Sequence, residues 1–243
     1  MKKLLILFLL VPVFTTSWAQ TEDKKTTKGA TPSPDFPGAI VFEYGLNYLV
    51  DNDHSMRTNP WKSATFNVYF TYPVQINDSR FAVIPGIGIG TEKYGFEDPV
   101  TFFDSLGFTI LDNVVNLPEF ANISEVKQSQ FIANYVDFPL ELRVHSRIDD
   151  HKRSFFVGIG GKIGVNFAAK TKVKYAEYGN NKTSKNQYHY NVNSFRFGAV
   201  ARLGYGPISG WFYYSGSKLF RGNTSVNFNN PSMWSFGLSL ATF

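Results

Sequence analysis

The sequence predicts an all-β protein: an eight-stranded antiparallel up-and-down transmembrane β-barrel. Three observations predict it. The N-terminus carries an export signal, eight runs alternate with a period of two, and short and long connections alternate between the runs. Composition agrees. Of 243 residues only 18% are charged, below the roughly 25% of ordinary soluble domains. With 24 Phe, 13 Tyr and 4 Trp the chain is too aromatic for disorder. It has no cysteine, which excludes disulfide scaffolds, thiolate metal sites and thiol catalysis. A net charge of +5 is mild, and no nucleic acid is expected as a partner.

Residues 1–19 read as a signal peptide. Lys2 and Lys3 precede an apolar stretch from Leu4 to Phe14, and Ser17 and Ala19 set a cleavage site before Gln20. The apolar stretch is too short for a membrane anchor, and polar Thr15, Thr16 and Ser17 follow it. Residues 20–37, rich in Thr, Lys, Ser and Pro, read as a flexible periplasmic linker, and residues 38–243 as the barrel domain.

The strands follow in order. Ile40, Phe42, Tyr44, Leu46 and Tyr48 alternate with a second face that carries Glu43 and Asn47. Ala64, Phe66, Val68, Phe70 and Tyr72 alternate with Thr65, Asn67 and Tyr69. Phe81, Val83, Ile87 and Ile89 alternate with Ala82, Gly86, Gly88 and Gly90. Val136, Phe138, Leu140, Leu142 and Val144 alternate with Asp137, Glu141 and Arg143. Phe155, Val157, Ile159, Ile163, Val165 and Phe167 stand against Gly158, Gly160, Lys162 and Gly164. Phe195, Phe197, Leu203 and Tyr205 stand against Arg196 and Arg202. A seventh, aromatic run near Ile208–Ser217 has no clear phase, and the eighth is Trp234, Phe236, Leu238 and Leu240. Pro85 and Pro139 remove ladder donors, so a bulge or a strand end is expected at each.

Charge selects the lipid face. Glu43, Asp137, Glu141, Arg143, Lys162, Arg196 and Arg202 all fall on the small, polar face. Exposing Lys or Arg to lipid at the midplane costs about 2–4 kcal/mol each, so the greasy face points outward. An eight-strand interior holds little but side chains, so these seven charges read as an ion-pair plug rather than a polar conduit.

Connections at 73–79, 145–153 and 206–207 are short and read as periplasmic turns. Those at 51–62, 91–130, 170–193 and 218–231 are long and read as external loops.

The signal, the polar tail, the eight runs, the Tyr135-Val136-Asp137-Phe138-Pro139-Leu140 segment and the terminal Phe243 together resemble the small outer-membrane β-barrel proteins that include the PorT-like group. The resemblance covers about residues 38–243 and implies an integral outer-membrane protein. Phe243 departs from that pattern, being in phase with Ser239 and Ala241 rather than with Trp234 to Leu240.

Candidate chemistry is sparse. Gly86–Gly90 and Gly158–Gly164 lack the G-x-G-x-x-G and P-loop spacings, and no cofactor is expected. His54, His145, His151 and His189 form no metal pair; His145 and His151 fall in a charged turn. His54, after Asp51 and Asp53 and beside Ser55, suggests an alternative, a membrane-embedded lipid-modifying enzyme, but it sits in a loop, and no enzyme is expected. The third external loop carries Lys170, Lys172, Lys174, Lys182 and Lys185 among tyrosines, and suits lipopolysaccharide phosphates. The second, 91–130, is too apolar for simple disorder. Its Phe102, Phe103, Leu106, Phe108, Ile110 and Leu111 could extend strands, fold over the barrel mouth, or bind another envelope protein. The reading is an outer-membrane barrel with a structural or interaction role. Its partners are outer-membrane lipid, lipopolysaccharide and another envelope protein.

Overall fold

The computed structural model describes residues 38–50, 54–77, 79–105, 108–120, 122–147, 154–188, 190–221 and 229–242. All belong to the compact unit Phe36–Phe243. The expected signal peptide, the linker, Leu106, His151, His189 and Phe243 lie outside the described residues, as does the side chain of Phe108.

Twelve strands occur among the described residues: β1 (Ala39–Val50), β2 (Ala64–Thr71), β3 (Val74–Gln75), β4 (Phe81–Gly95), β5 (Val100–Ser105), β6 (Phe108–Asn113), β7 (Ile123–His145), β8 (Phe155–Glu177), β9 (Asn180–Gln187), β10 (Phe195–Tyr205), β11 (Ile208–Ser215) and β12 (Ser232–Thr242). Eight of them close a ring in the order β1-β2-β4-β7-β8-β10-β11-β12. β12 pairs back onto β1 from Ile40↔Thr242 to Val50↔Ser232, so the ring has no free edge. Every pairing is antiparallel.

Alternation explains the inside and the outside. Leu238 is 68% exposed and Ile159 63%, whereas Asp137 is 0% and Glu43 3%. Apolar side chains cover the outer wall and polar ones fill the lumen, as lipid requires. Aromatic pairs stand at both rims: Tyr48 stacks on Trp234 at 4.4 Å, and Phe155 meets Tyr205 at 4.7 Å. The phase of β11 is also settled. Trp211, Tyr213 and Ser215 point in; Phe212 and Tyr214 point out.

Three expectations need correction. First, the proline positions are neither bulges nor strand ends. Pro85 lies just past the end of β2, where Tyr72 N–H donates to its carbonyl at 2.9 Å. Pro139 keeps its place in the β7–β8 ladder opposite Lys162. The β4–β7 ladder merely omits the pairs between Pro85↔Leu140 and Gly88↔Asp137 and resumes in register. The bulge that does occur in the barrel wall lies at Asn134/Tyr135.

Second, the segments 91–130 and 170–193 are mostly strand. β7 and β8 are 23 residues each, far longer than the ten or so needed to cross a bilayer. β4 runs on to Gly95, β5 and β6 form a separate hairpin, and β9 folds back on β8 from Lys170↔Gln187 to Glu177↔Asn180. Third, His145 does not belong to the charged turn. It ends β7, buried, with Nδ1 3.0 Å from Ser154 Oγ.

Candidate functional site: plugged lumen and external head

The lumen charges form two tiers. In the tier nearer the short turns, Arg202 Nη2 lies 2.5 Å from Glu43 Oε1 and 2.9 Å from Glu141 Oε1. Its Nε donates to both Glu141 oxygens at 3.2 and 3.1 Å. Its Nη1 donates to Ser239 Oγ at 2.7 Å and to Ser209 Oγ at 3.3 Å. Arg143 Nη2 reaches Glu141 Oε2 at 2.8 Å, and Asn67 Nδ2 donates to Glu43 Oε2 at 2.8 Å.

In the second tier Arg196 forks onto Asp137, Nη2 to Oδ2 at 2.6 Å and Nε to Oδ1 at 3.1 Å. Its Nη1 also pairs with Glu92. Lys162 Nζ lies 3.8 Å from Asp137 Oδ2 and donates to Tyr69 Oη at 3.4 Å. Tyr69 O–H donates to Asp137 Oδ2 at 3.0 Å, and Tyr94 O–H to Glu92 Oε2 at 2.7 Å. Cation–π contacts complete the set: Lys162 Nζ stands 3.9 Å from the Tyr213 ring centroid and Arg196 Cζ 3.8 Å from that of Tyr135.

All seven charges singled out in the sequence therefore meet in this network. Sequence reasoning missed Glu92, Tyr69 and Asn67. With Glu92 included, four carboxylates (Glu43, Glu92, Asp137, Glu141) face four cations (Arg143, Lys162, Arg196, Arg202), and the network is formally neutral. Two glycines make room for it. A Cβ on Gly90 would stand 2.5 Å from Asp137 Oδ2, and one on Gly164 would run into the Asp137–Arg196 pair.

Below the network a cavity of about 230 Å³ opens at the short-turn end, lined by Val41, Ala82, Ile84, Phe156, Arg143 and Arg202. Above it the lumen ends in an aromatic stopper. Phe102 of β5 lies 5.1 Å from Phe131 and from Phe220, and 5.7 Å from Phe96. Tyr190 stands edge-on to Phe131 at 5.9 Å. Ser129 O–H of β7 donates to the Val100 carbonyl and seats the β5–β6 hairpin, whose base is closed by Val114 N–H donating to the Pro99 carbonyl at 2.7 Å.

The apolar residues of the second long connection thus divide. Phe102, for which strand extension, a fold over the barrel mouth and partner binding all stood open, is only 2% exposed and takes the place over the mouth, in the stopper. Burying its ring in the barrel mouth removes more apolar surface from water than a loop position could. Leu111 packs, half-buried, against the same cluster. Ile110 is half-buried, as is Phe103, which lines an external cavity of about 570 Å³ with Leu117, Phe120, Val173, Tyr188 and Tyr190. Thr171, Ser184, Asn186 and Glu119 supply its polar wall, and Asn186 Nδ2 donates to Glu119 Oε2 at 3.4 Å. His54 lies apart, exposed, in a one-turn helix His54–Met56 rather than on a lipid-facing strand.

A family model described as "Outer membrane protein beta-barrel domain" matches residues 19–238. The chain belongs to that family. Membership places it in the outer membrane; short turns in such barrels face the periplasm and long connections the outside. Among solved structures, Ail, the attachment invasion locus protein of Yersinia pestis, is similar at 13% identity and a TM-score of 0.37, covering 84% of this chain and 97% of that one. The same protein in complex with the heparin analogue sucrose octasulfate gives 14%, a TM-score of 0.36 and the same coverage. No curated protein matches the sequence.

Proposed function

We propose that this outer-membrane barrel is an interaction protein: a sealed scaffold that presents a binding head outside the cell. One observation carries the reading. The lumen is filled by a neutral ion-pair network under an aromatic stopper, while β7 and β8 continue well past the bilayer into the head. A barrel built to conduct would spend its charges on an open channel; this one pairs them. The head offers the cavity between the β5–β6 hairpin and the β8–β9 arm, with exposed Tyr188 and half-buried Phe103 at its wall. The partner we assign there is another envelope protein, with lipopolysaccharide around the head. An export signal over residues 1–19 and a linker over 20–37 belong to the same reading. So does a place among PorT-like barrels, which rests on Tyr135–Leu140.

In-cell crosslinking from a photoreactive residue at Ser184 tests it. The native head should capture one envelope protein. Phe103→Ser with Tyr188→Ala should abolish that product while leaving the heat-modifiable barrel intact. An unchanged crosslink pattern in the double variant would sink the reading.

A further inference from the structure

The outer face of the β8–β9 arm bears a lysine cluster that the cavity does not use. Lys170, Lys172 and Lys174 alternate with Thr171, Val173 and Tyr175 along β8. Val173 packs inward with Phe120 and Val114, so the three lysines point away from the head's core. Lys172 stands directly opposite Lys185 of β9, and Lys170 opposite Gln187. Across the other edge Lys170 faces Ile132, which faces Lys93 of β4, and Lys172 faces Gln130. Cross-strand partners share a face, so Lys93, Lys170, Lys172, Lys174 and Lys185 form one patch.

Among the described residues, none of the five is paired with a carboxylate. Glu92, next to Lys93, points inward to Arg196, and Glu177 is held by Lys182 on the hairpin's other face. Like charges directly opposite on a sheet destabilise it, so the Lys172–Lys185 pair is a cost that the fold itself does not offset. Partial burial and the four neighbouring ammonium groups hold the Lys172 ammonium below the usual lysine range.

Height identifies what could offset it. On β8 the outward apolar series runs from Phe155 to Phe167. At about 3.3 Å per residue and about 40° of tilt it spans about 30 Å along the membrane normal, the thickness of the hydrocarbon core. Thr91 then hydrogen-bonds Asn134 at 2.9 Å, a polar belt on the outer wall. Lys93 and Lys170 come next, at the level of outer-leaflet headgroups, and Lys172, Lys174 and Lys185 rise above them. We infer that this five-lysine face binds the phosphates of an outer-leaflet glycolipid, the phosphorylated saccharide headgroup of lipopolysaccharide. The inference deepens the lipid side of the proposed function. It rests on residues separate from the cavity, so each can fail alone.

The test is binding of bisphosphorylated lipid A to the full-length protein in detergent micelles, read by native mass spectrometry. The variant is Lys170→Gln/Lys172→Gln/Lys185→Gln, with Lys182→Gln as a control from the opposite face. The triple variant should keep its heat-modifiable barrel and bind about 100-fold more weakly, whereas Lys182→Gln should bind as the native protein does. Dephosphorylated lipid A should bind the native protein no better than lipid A binds the triple variant. Should the triple variant not assemble, the native protein alone decides, since its affinity must fall steeply between 50 mM and 500 mM NaCl. Equal binding by the triple variant, undiminished binding of the dephosphorylated lipid, or indifference to salt would each overturn the inference. So would inositol hexakisphosphate binding as tightly as lipid A, which would mark a site for soluble polyanions.

Discussion

Replacing Arg202 by Met removes the hub of the tier nearer the short turns. The guanidinium makes contacts of 2.5 Å to Glu43, 2.9 to 3.2 Å to Glu141, and 2.7 and 3.3 Å to Ser239 and Ser209. Met fills much of the same volume, so the change is mainly electrostatic. Glu141 keeps Arg143 at 2.8 Å, but Glu43 keeps only the Asn67 amide at 2.8 Å. One carboxylate is therefore stranded in a site 3% exposed. Breaking a buried pair from one side costs about 3–5 kcal/mol, and the surviving Arg143 pair puts this case near the lower end. Adding Glu43→Gln should restore about 1–3 kcal/mol by removing the stranded charge. Urea titration of the folded barrel in detergent, read as the fraction of heat-modifiable band on unboiled gels, measures both differences. A single variant within about 0.5 kcal/mol of the native protein would refute the reasoning. So would a double variant less stable than the single one, because the cost would then lie in packing.

Other consequences are as specific. Reconstituted in planar bilayers, the native protein should carry no steady current, whereas Arg196→Ala with Phe102→Ala should admit measurable leakage; an open, ion-selective native current would contradict the filled lumen. Leu238→Arg, placing a charge on the lipid wall where Leu238 is 68% exposed, should cost about 2–4 kcal/mol in the same urea assay, whereas Asn181→Arg, exposed on the external arm opposite Ala176, should be silent. Phe102→Ala should destabilise by about 3–5 kcal/mol, because the rings of Phe96, Phe131 and Phe220 lose a central neighbour; a loss below about 1 kcal/mol would contradict the stopper. Intact-mass analysis of the exported protein should give a chain beginning at Gln20, and a retained N-terminus would remove the signal-peptide reading.

The barrel was legible because a bilayer imposes a strict rule on each strand that crosses it. Residues such as Phe138 and Leu140 must be apolar, while Asp137 and Glu141 between them are free to be charged, so the period of two stands out. Above the bilayer the rule lapses. Water wets the outer face, so Lys170–Lys174 alternate with Thr171 and Val173 in a pattern that reads as a basic loop, although it is strand. The same lapse hid Glu92. Thr91-Glu92-Lys93 breaks the apolar alternation, yet Glu92 and Tyr94 keep the inward phase of Gly86, Gly88 and Gly90, and extending that phase would have found it. The hairpin β5–β6 was illegible for another reason. Its apolar residues are divided between the stopper and the cavity wall, a choice made by Phe131, Phe220 and Tyr190, which reach it from distant parts of the chain. Pro85 gives no bulge because of where β2 ends. Pro85 sits one step beyond the last β2 residue opposite Gly86, where a missing donor costs little.

The central claim is an outer-membrane barrel whose long strands carry a head outside the cell over a closed lumen. The absence of cysteine lets single introduced thiols report on it without background. Thr183→Cys at the external arm and Gln75→Cys at the opposite, short-turn end should be treated in intact cells with a membrane-impermeant maleimide. The account predicts that the Thr183→Cys protein is labelled at once and the Gln75→Cys protein only after the outer membrane is permeabilised. Labelling of the Gln75→Cys protein in intact cells, with the Thr183→Cys protein protected, would contradict it.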